Sequence, residues 1–299
     1  MKRPLHLEFH HPPSGLKNLL GSFSWPRRGS GDFPAMSAHW GTHRTDLRQL
    51  ENFLTLTGAK GLDFLPMIYP QVMGFPLTMS LLHHPRFPIA IFDSLQIRNH
   101  LLQHRPIGLG EPLEFSLEVN RHRRLEKGVE FDFYTRVKAS GDLAWEGVTT
   151  FYYRGKYKGK DDPSGYGAAP GAEPPGGKGE EMEWKVPDGG GLRFARLLGN
   201  YHPVHWWRMY ARFFGFKAPF HHPAMVIEMA MAHLPAELSG CQRLDTWIKG
   251  PIYYGSQVRL THAETPRGRV FALFPDGGTR PAIVGQRRGA QPGEPLWET

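Results

Sequence analysis

The chain has 299 residues, 40% of them hydrophobic and 12% aromatic, and a net charge of +8. That composition excludes a disordered polymer, and the length leaves room for two cores. A lone cysteine, Cys241, excludes an intrachain disulfide and fits a reducing compartment. The basic surplus attracts anions in general, but no helix-turn-helix, zinc-finger or RNP pattern accompanies it, so no nucleic-acid partner is expected.

Residues 1–46 are rich in Pro, Gly, Ser, His and Arg and carry little periodicity, which predicts a surface extension. Met1-Lys2-Arg3 is not followed by an apolar run, so no signal peptide is expected. No window is apolar enough to span a bilayer. A soluble, cytoplasmic protein without a membrane partner is the expectation.

A first globular segment, 47–157, begins with an apolar, helical stretch over about Pro70 to Leu82. Three strand patterns of period two follow. Leu113, Phe115, Leu117 and Val119 alternate with polar residues, and so do Val129, Phe131, Phe133, Thr135 and Val137. The run from Leu143 to Tyr153 continues the pattern. Residues 158–182 are a Pro/Gly-rich linker by composition, and the tail after Arg288 reads similarly.

The second globular segment, 183–299, repeats the order. From Pro223 to Leu234 apolar residues cover nearly every face, which predicts a buried helix. Shorter strand candidates follow at Gln257–His262, Arg269–Phe274 and Pro281–Gln286. Pro106-Ile107-x-x-Gly110-x-x-Leu113 recurs as Pro251-Ile252-x-x-Gly255-x-x-Val258. A helix followed by antiparallel strands, present twice, predicts an α+β double hotdog, each half a central helix wrapped by a curved antiparallel sheet.

The chemistry concentrates between Phe194 and Met225. Leu198-Gly199-Asn200-Tyr201-His202-Pro203-Val204-His205 is followed by Ala211-Arg212-Phe213-Phe214-Gly215-Phe216, then by His222-Pro223-Ala224-Met225 opening the helix. Groups that handle protons are thus collected before a helix N-terminus, where backbone N–H groups and the dipole favour a developing oxyanion. The order of these three blocks, with Trp184-x-x-Pro187 and Phe194-Ala195 upstream, resembles the MaoC-like hydratases and dehydratases, hotdog enzymes of acyl thioesters. The resemblance covers Trp184 to Val258.

The resemblance implies hydration of a trans-2-enoyl thioester, or the reverse dehydration, with (R) specificity. Coenzyme A or acyl carrier protein would carry the substrate, with no cofactor or metal. It also implies one complete site, the other half shaping an acyl tunnel. His205 matches the family's catalytic His, and Asn200 stands where the family has Asp. An amide orients a water but cannot take its proton. His202 replaces the motif Asn and is a further titratable candidate. Gly199, Tyr201, Phe216, His222, Pro223, Ala224 and Met225 are the expected substrate-binding residues. Pro223 stands where the family has the Gly whose N–H binds the thioester carbonyl, and proline has none. Three readings stay open: a rewired hydratase, another thioester reaction, or an acyl-thioester-binding or scaffolding protein without catalysis. Assembly as a homodimer also stays open.

Among the remaining residues, Trp206, Trp207, Tyr210, Phe213, Phe214 and Phe216 are candidates either for a tunnel wall or for core packing. Glu228 in the buried helix calls for a partner, with Arg98, Arg196 and Lys249 as candidates, or for the pocket. His202-x-x-His205 with His221-His222 has the residue type of a metal site. However, adjacent histidines seldom hold one ion and no carboxylate lies close in sequence, so no metal is expected.

Overall fold

The computed structural model describes residues 3–15, 33–60, 63–89, 94–155, 179–235 and 240–296. Its strands form one 11-stranded sheet in the order β1-β2-β4-β5-β6-β3-β8-β11-β10-β9-β7. The first set is β1 (Leu5–Phe9), β2 (Met36–Arg44), β3 (Ser94–Gln103), β4 (Pro112–Leu125), β5 (Gly128–Ala139) and β6 (Asp142–Arg154). The second is β7 (Glu180–Lys185), β8 (Gln242–Ile248), β9 (Gln257–Thr265), β10 (Gly268–Pro275) and β11 (Ile283–Gly289). Leaving out β1, which adds in parallel at the β2 edge, the order reads as two mirrored sets of five meeting at β3 and β8.

The described helices are α1 (Leu47–Thr57), α2 (Tyr69–His83), α3 (Gly191–Leu198), α4 (Arg208–Phe213) and α5 (Pro223–His233). In α2 and α5 almost every residue is buried, as an all-round apolar sequence requires. Both belong to one continuous core with the inward residues of the sheet, such as Phe115, Phe131, Phe133, Leu260 and Phe271. Residues buried this fully contribute roughly 1.5–3 kcal/mol each in transfer free energy. The chain is a double hotdog.

The repeat seen in sequence extends to individual hydrogen bonds. Leu65 N–H donates to Ile107 C=O at 2.8 Å, and His221 N–H donates to Ile252 C=O at 2.9 Å. His104 N–H donates to Ala144 C=O, and Lys249 N–H to Ala282 C=O. Gly147 and Gly285 are a further equivalent pair: a Cβ at either would run into the ring of Trp145 or Phe271. In this register His100 and Asp245 are equivalents, and they face each other across the β3–β8 seam. His100 Nδ1 lies 2.7 Å from Asp245 Oδ1, and Arg243 Nε reaches both Asp245 oxygens at 3.0 and 2.9 Å.

The structure corrects three expectations. Residues 1–46 are not wholly an extension: β1 and β2 belong to the sheet, and Met36, Ala38 and Trp40 alternate into the core. The linker ends earlier than residue 182, because Glu180–Lys185 pairs with β9; residues 156–178 lie outside the described residues. The tail after Arg288 is fixed in part, with Leu296 buried against Leu102 and Val148 and its carbonyl accepting from Arg243 at 2.8 Å.

Candidate active site

The two halves differ most where one hotdog helix is approached by its overhanging segment. α1 ends at Gly58 and α3 at Gly199, both in left-handed conformation, with φ of 72° and 62°. In the first half only residues 59–63 separate this cap from the next bridge, Phe64 to Gly108. In the second half residues 200–219 intervene before the equivalent bridge, Phe220 to Tyr253. That added segment carries the candidate chemistry.

Local hydrogen bonds set its course. Asn200 Oδ1 accepts from His202 N–H at 3.0 Å, an Asx turn. His202 Nδ1 accepts from Val204 N–H at 3.3 Å and caps a 3-10 turn over Pro203–His205. This turn directs His205 into the interior, where its Nδ1–H donates to Phe220 C=O at 3.0 Å. A ring nitrogen facing a carbonyl carries the proton, so Nε2 of His205 holds the lone pair.

His222 has the opposite tautomer. It caps α5, its Nδ1 accepting from Ala224 N–H at 3.3 Å, so the proton is on Nε2. The first turn of α5 has no donor to spare. Pro223 lacks an N–H, Ala224 N–H goes to the His222 ring, and Met225 N–H goes to His222 C=O at 3.0 Å. The two rings lie 5.2 Å apart, one offering an acceptor and the other a donor.

Burial keeps this cluster neutral. Desolvation pushes His205 down to about 4, the Phe220 carbonyl resisting only in part. His221 behaves the same way, also down to about 4, opposed by its bond to Pro187 C=O and aided by His205. His222 falls well below the ordinary histidine value, first through burial and then through repulsion from His205 and His202.

Gly191, Phe194, Ala195, Leu198, Asn200, His205, His222, Met225 and Tyr254 line a small cavity. The part of it wide enough for a water is about 10 Å³, close to the least that holds one molecule. Tyr254 braces the site from the turn before β9, its hydroxyl donating to His205 C=O at 2.7 Å. Gly191 is required there, because a Cβ would lie 2.3 Å from the His205 carbonyl oxygen and 2.4 Å from the Tyr254 oxygen.

Of the residues singled out from sequence, the structure brings Asn200, His205, His222 and Met225 to the cavity. His202 is beside it, 6.2 Å ring to ring from His205, and is engaged in capping. Gly199 forms the αL cap against Pro76. Tyr201 turns its carbonyl to the Trp206 indole N–H at 3.1 Å. Phe216 does not reach the cavity; it packs on Phe220 in a satellite cluster with Val204 and Ala211. Pro223 and Ala224 build the helix start without lining the cavity. Trp206, Trp207 and Phe213 line no tunnel and join no core, because they are exposed. Arg98, one candidate partner of Glu228, is engaged by Glu130 at 2.6 Å.

The α3 wall was not assigned to the site from sequence. Gly191, Phe194, Ala195 and Leu198 have i, i+3, i+4, i+7 spacing, so one helix face was there to be read. Tyr254 carries no such signal, since only the fold brings it to His205.

No protein-family model matches the chain. A curated protein of Mycobacterium tuberculosis, 3-hydroxyacyl-thioester dehydratase X, is 25% identical over 282 residues, covering 86% of this chain and 91% of its own. The crystal structure of HtdX from that organism matches with a TM-score of 0.72 at 22% identity, covering 85% of this chain and 100% of the other. A MaoC-like dehydratase from Phytophthora capsici matches with a TM-score of 0.66 at 16% identity, covering 89% and 98%. Over most of its length this chain is thus similar in sequence to a 3-hydroxyacyl-thioester dehydratase, and it shares the double-hotdog fold of the MaoC-like dehydratases.

Proposed function

We propose that the protein is a hydro-lyase that interconverts (R)-3-hydroxyacyl and trans-2-enoyl thioesters, using a site in which histidine groups stand in for the missing carboxylate and backbone donor. One observation carries the reading: His205 and His222 face each other in opposite tautomers around a water-sized cavity beside Asn200. In the hydration direction, water oxygen bonds to C3 as His205 Nε2 takes one of its protons. The C2–C3 π electrons move toward C1, and the carbonyl oxygen becomes an enolate oxygen. His222 Nε2–H donates to that oxygen, in place of the N–H that Pro223 lacks. The proton on His205 then passes to C2, which completes the addition of water. Asn200 has its oxygen engaged with His202 N–H, so its amide N–H groups hold the water. Dehydration runs the same steps backward.

The carrier, coenzyme A or acyl carrier protein, lies outside the cavity in this reading. No cofactor takes part. A binding role without catalysis is favoured by one feature, the closed donor set at the start of α5. The loss of enoyl-thioester absorbance on hydration separates the two readings. Wild type should turn over crotonyl-CoA or a longer enoyl-CoA. His205→Ala should abolish turnover, and His222→Phe should lower kcat by roughly 10²-fold, the effect of removing one oxyanion donor. Binding of a non-hydrolysable acyl-CoA without any turnover by wild type would establish the binding role instead.

A further inference from the structure

The overhanging segment that delivers His205 also carries an outward face that the reaction does not use. Phe213 is 84% exposed, Met209 72%, Trp207 48% and Trp206 39%. Met209 and Phe213 lie one turn apart on α4, so they share one side of it. Arg208 and Arg212 form a second stripe with the same spacing, and both are exposed. The two indoles lie nearly parallel, 6.3 Å apart at 15°, and Trp207 continues onto Tyr210 at 6.1 Å. The patch is firmly mounted: Ala211 is fully buried beneath it and Trp207 N–H donates to Pro203 C=O at 2.8 Å.

The segment that carries it has charge of one sign. Between Asp188 and Glu228 the sequence contains no carboxylate, while Arg193, Arg196, Arg208, Arg212 and Lys217 are all exposed. Lys217 is paired with Asp276 at 3.6 Å, and the four arginines have no ion-pair partner among the described residues. Exposed large apolar side chains within a cationic field need an occupant that is apolar and anionic together. A second copy of the chain, docked through the same patch, would set these arginines against one another. An acidic protein would match the arginines but would need a groove for Phe213 and Met209. A soluble nucleotide would need a concave pocket, and the side chains of this face are exposed.

We infer that α4 and the Trp206–Trp207 step form a docking surface for an anionic lipid bilayer. Met209, Phe213 and the indoles enter the headgroup boundary while Arg208 and Arg212 meet lipid phosphates. No described helix is long and apolar enough to cross a membrane, so the contact is peripheral. Trp206 follows His205 directly in the chain, so the docked face lies next to the site, and an acyl thioester whose chain is dissolved in the bilayer meets the enzyme there.

The test is flotation of the full chain with vesicles of phosphatidylcholine plus phosphatidylglycerol, against phosphatidylcholine alone, with tryptophan emission recorded on the same samples. Wild type should partition onto the anionic vesicles, lose binding in high salt, and shift its emission to the blue. The pair Arg208→Gln and Arg212→Gln should weaken partitioning by roughly fivefold for each arginine. The pair Met209→Ser and Phe213→Ser should weaken it by about tenfold or more. All four positions are exposed, so unchanged circular dichroism is expected in the variants. Equal partitioning on both vesicle types, or variants that bind like wild type, would overturn the inference. So would absence of vesicle binding together with tight binding of an acidic carrier protein through the same residues. None of these readings depends on turnover, so the inference stands or falls separately from the proposed reaction.

Discussion

Acid should unfold this protein through its own candidate site. His205 and His221 are buried and neutral, each pushed down to about 4 from an ordinary value of 6.5. The unfolded chain therefore binds more protons than the native one between those two values. Stability contributed by the two rings is complete above the unfolded value and is lost as pH falls toward the folded one. Going from about pH 7 to about pH 4.5 costs between about 2 and 3 kcal/mol for each ring, about 5 kcal/mol for the two. His222, displaced in the same direction, adds to the loss. A typical domain has only about 5–15 kcal/mol in total, so the native state should be close to its limit at the lower pH. Guanidinium unfolding followed by tryptophan fluorescence across this range gives the slope directly. His221→Gln keeps a donor for Pro187 C=O and should reduce the slope by about 1.4 kcal/mol per pH unit, the equivalent of one proton. An unfolding free energy that stays flat across the window, or a slope unchanged in the variant, would refute the argument.

The same burial gives the pH–rate profile its shape: the acid limb of enoyl-thioester hydration should rise through a value near that of His205, about 4, and not near 6.5. Asn200→Asp can keep the bond to His202 N–H with one oxygen and offer the other to the water, so kcat should rise, by up to ~10²-fold. Pro223→Gly should raise it further by restoring a backbone N–H, with the double variant above either single one. A flat response in all three variants, with His205→Ala inactive, would show that His205 and His222 already do the work of a carboxylate and a backbone donor; an active His205→Ala would assign the base work elsewhere. At the far edge of the sheet, His39 lies between Glu8 and Glu114 at 2.8 and 3.1 Å. Burial alone would lower its pKa, but the two carboxylates outweigh it and hold the ring above the ordinary value. The contribution of His39 is therefore present below that ordinary value and lost as pH rises through the folded one. Amide exchange in β1 should accelerate over that range, and His39→Gln should remove the pH dependence.

Where the sequence obeyed a single period, the fold could be read. Strands β4, β5 and β6 alternate plainly in sequence because one face meets the helices, and α2 and α5 are apolar all round because they are enclosed. The central strands hid themselves. β3 and β8 bury Asn99, His100, Arg243 and Asp245, which pair with one another or with Gln71 and Gln96, so their pattern looks polar. β2 was obscured by Gly, Ser and His around Trp40. At the site, Asn200, His202 and His205 were singled out through the likeness of their block to the MaoC-like motif, and short-range hydrogen bonds tie them to one another. The wall from α3 and the brace from Tyr254 come from tertiary packing.

The His100–Asp245 contact has a consequence for how such a chain can be divided. It occupies the local symmetry centre of the sheet, the place where two identical halves would each present the same residue to its own copy. Two first halves joined in this manner would stack His100 on His100, and two second halves would bury Asp245 against Asp245. Only the unlike pairing sets a ring N–H against the buried carboxylate, where the like pairings would set two carboxylates or two rings against each other. A chain severed between β6 and β7 is therefore built for complementation and not for self-assembly. The two pieces should recognise each other, and neither should find a substitute in itself.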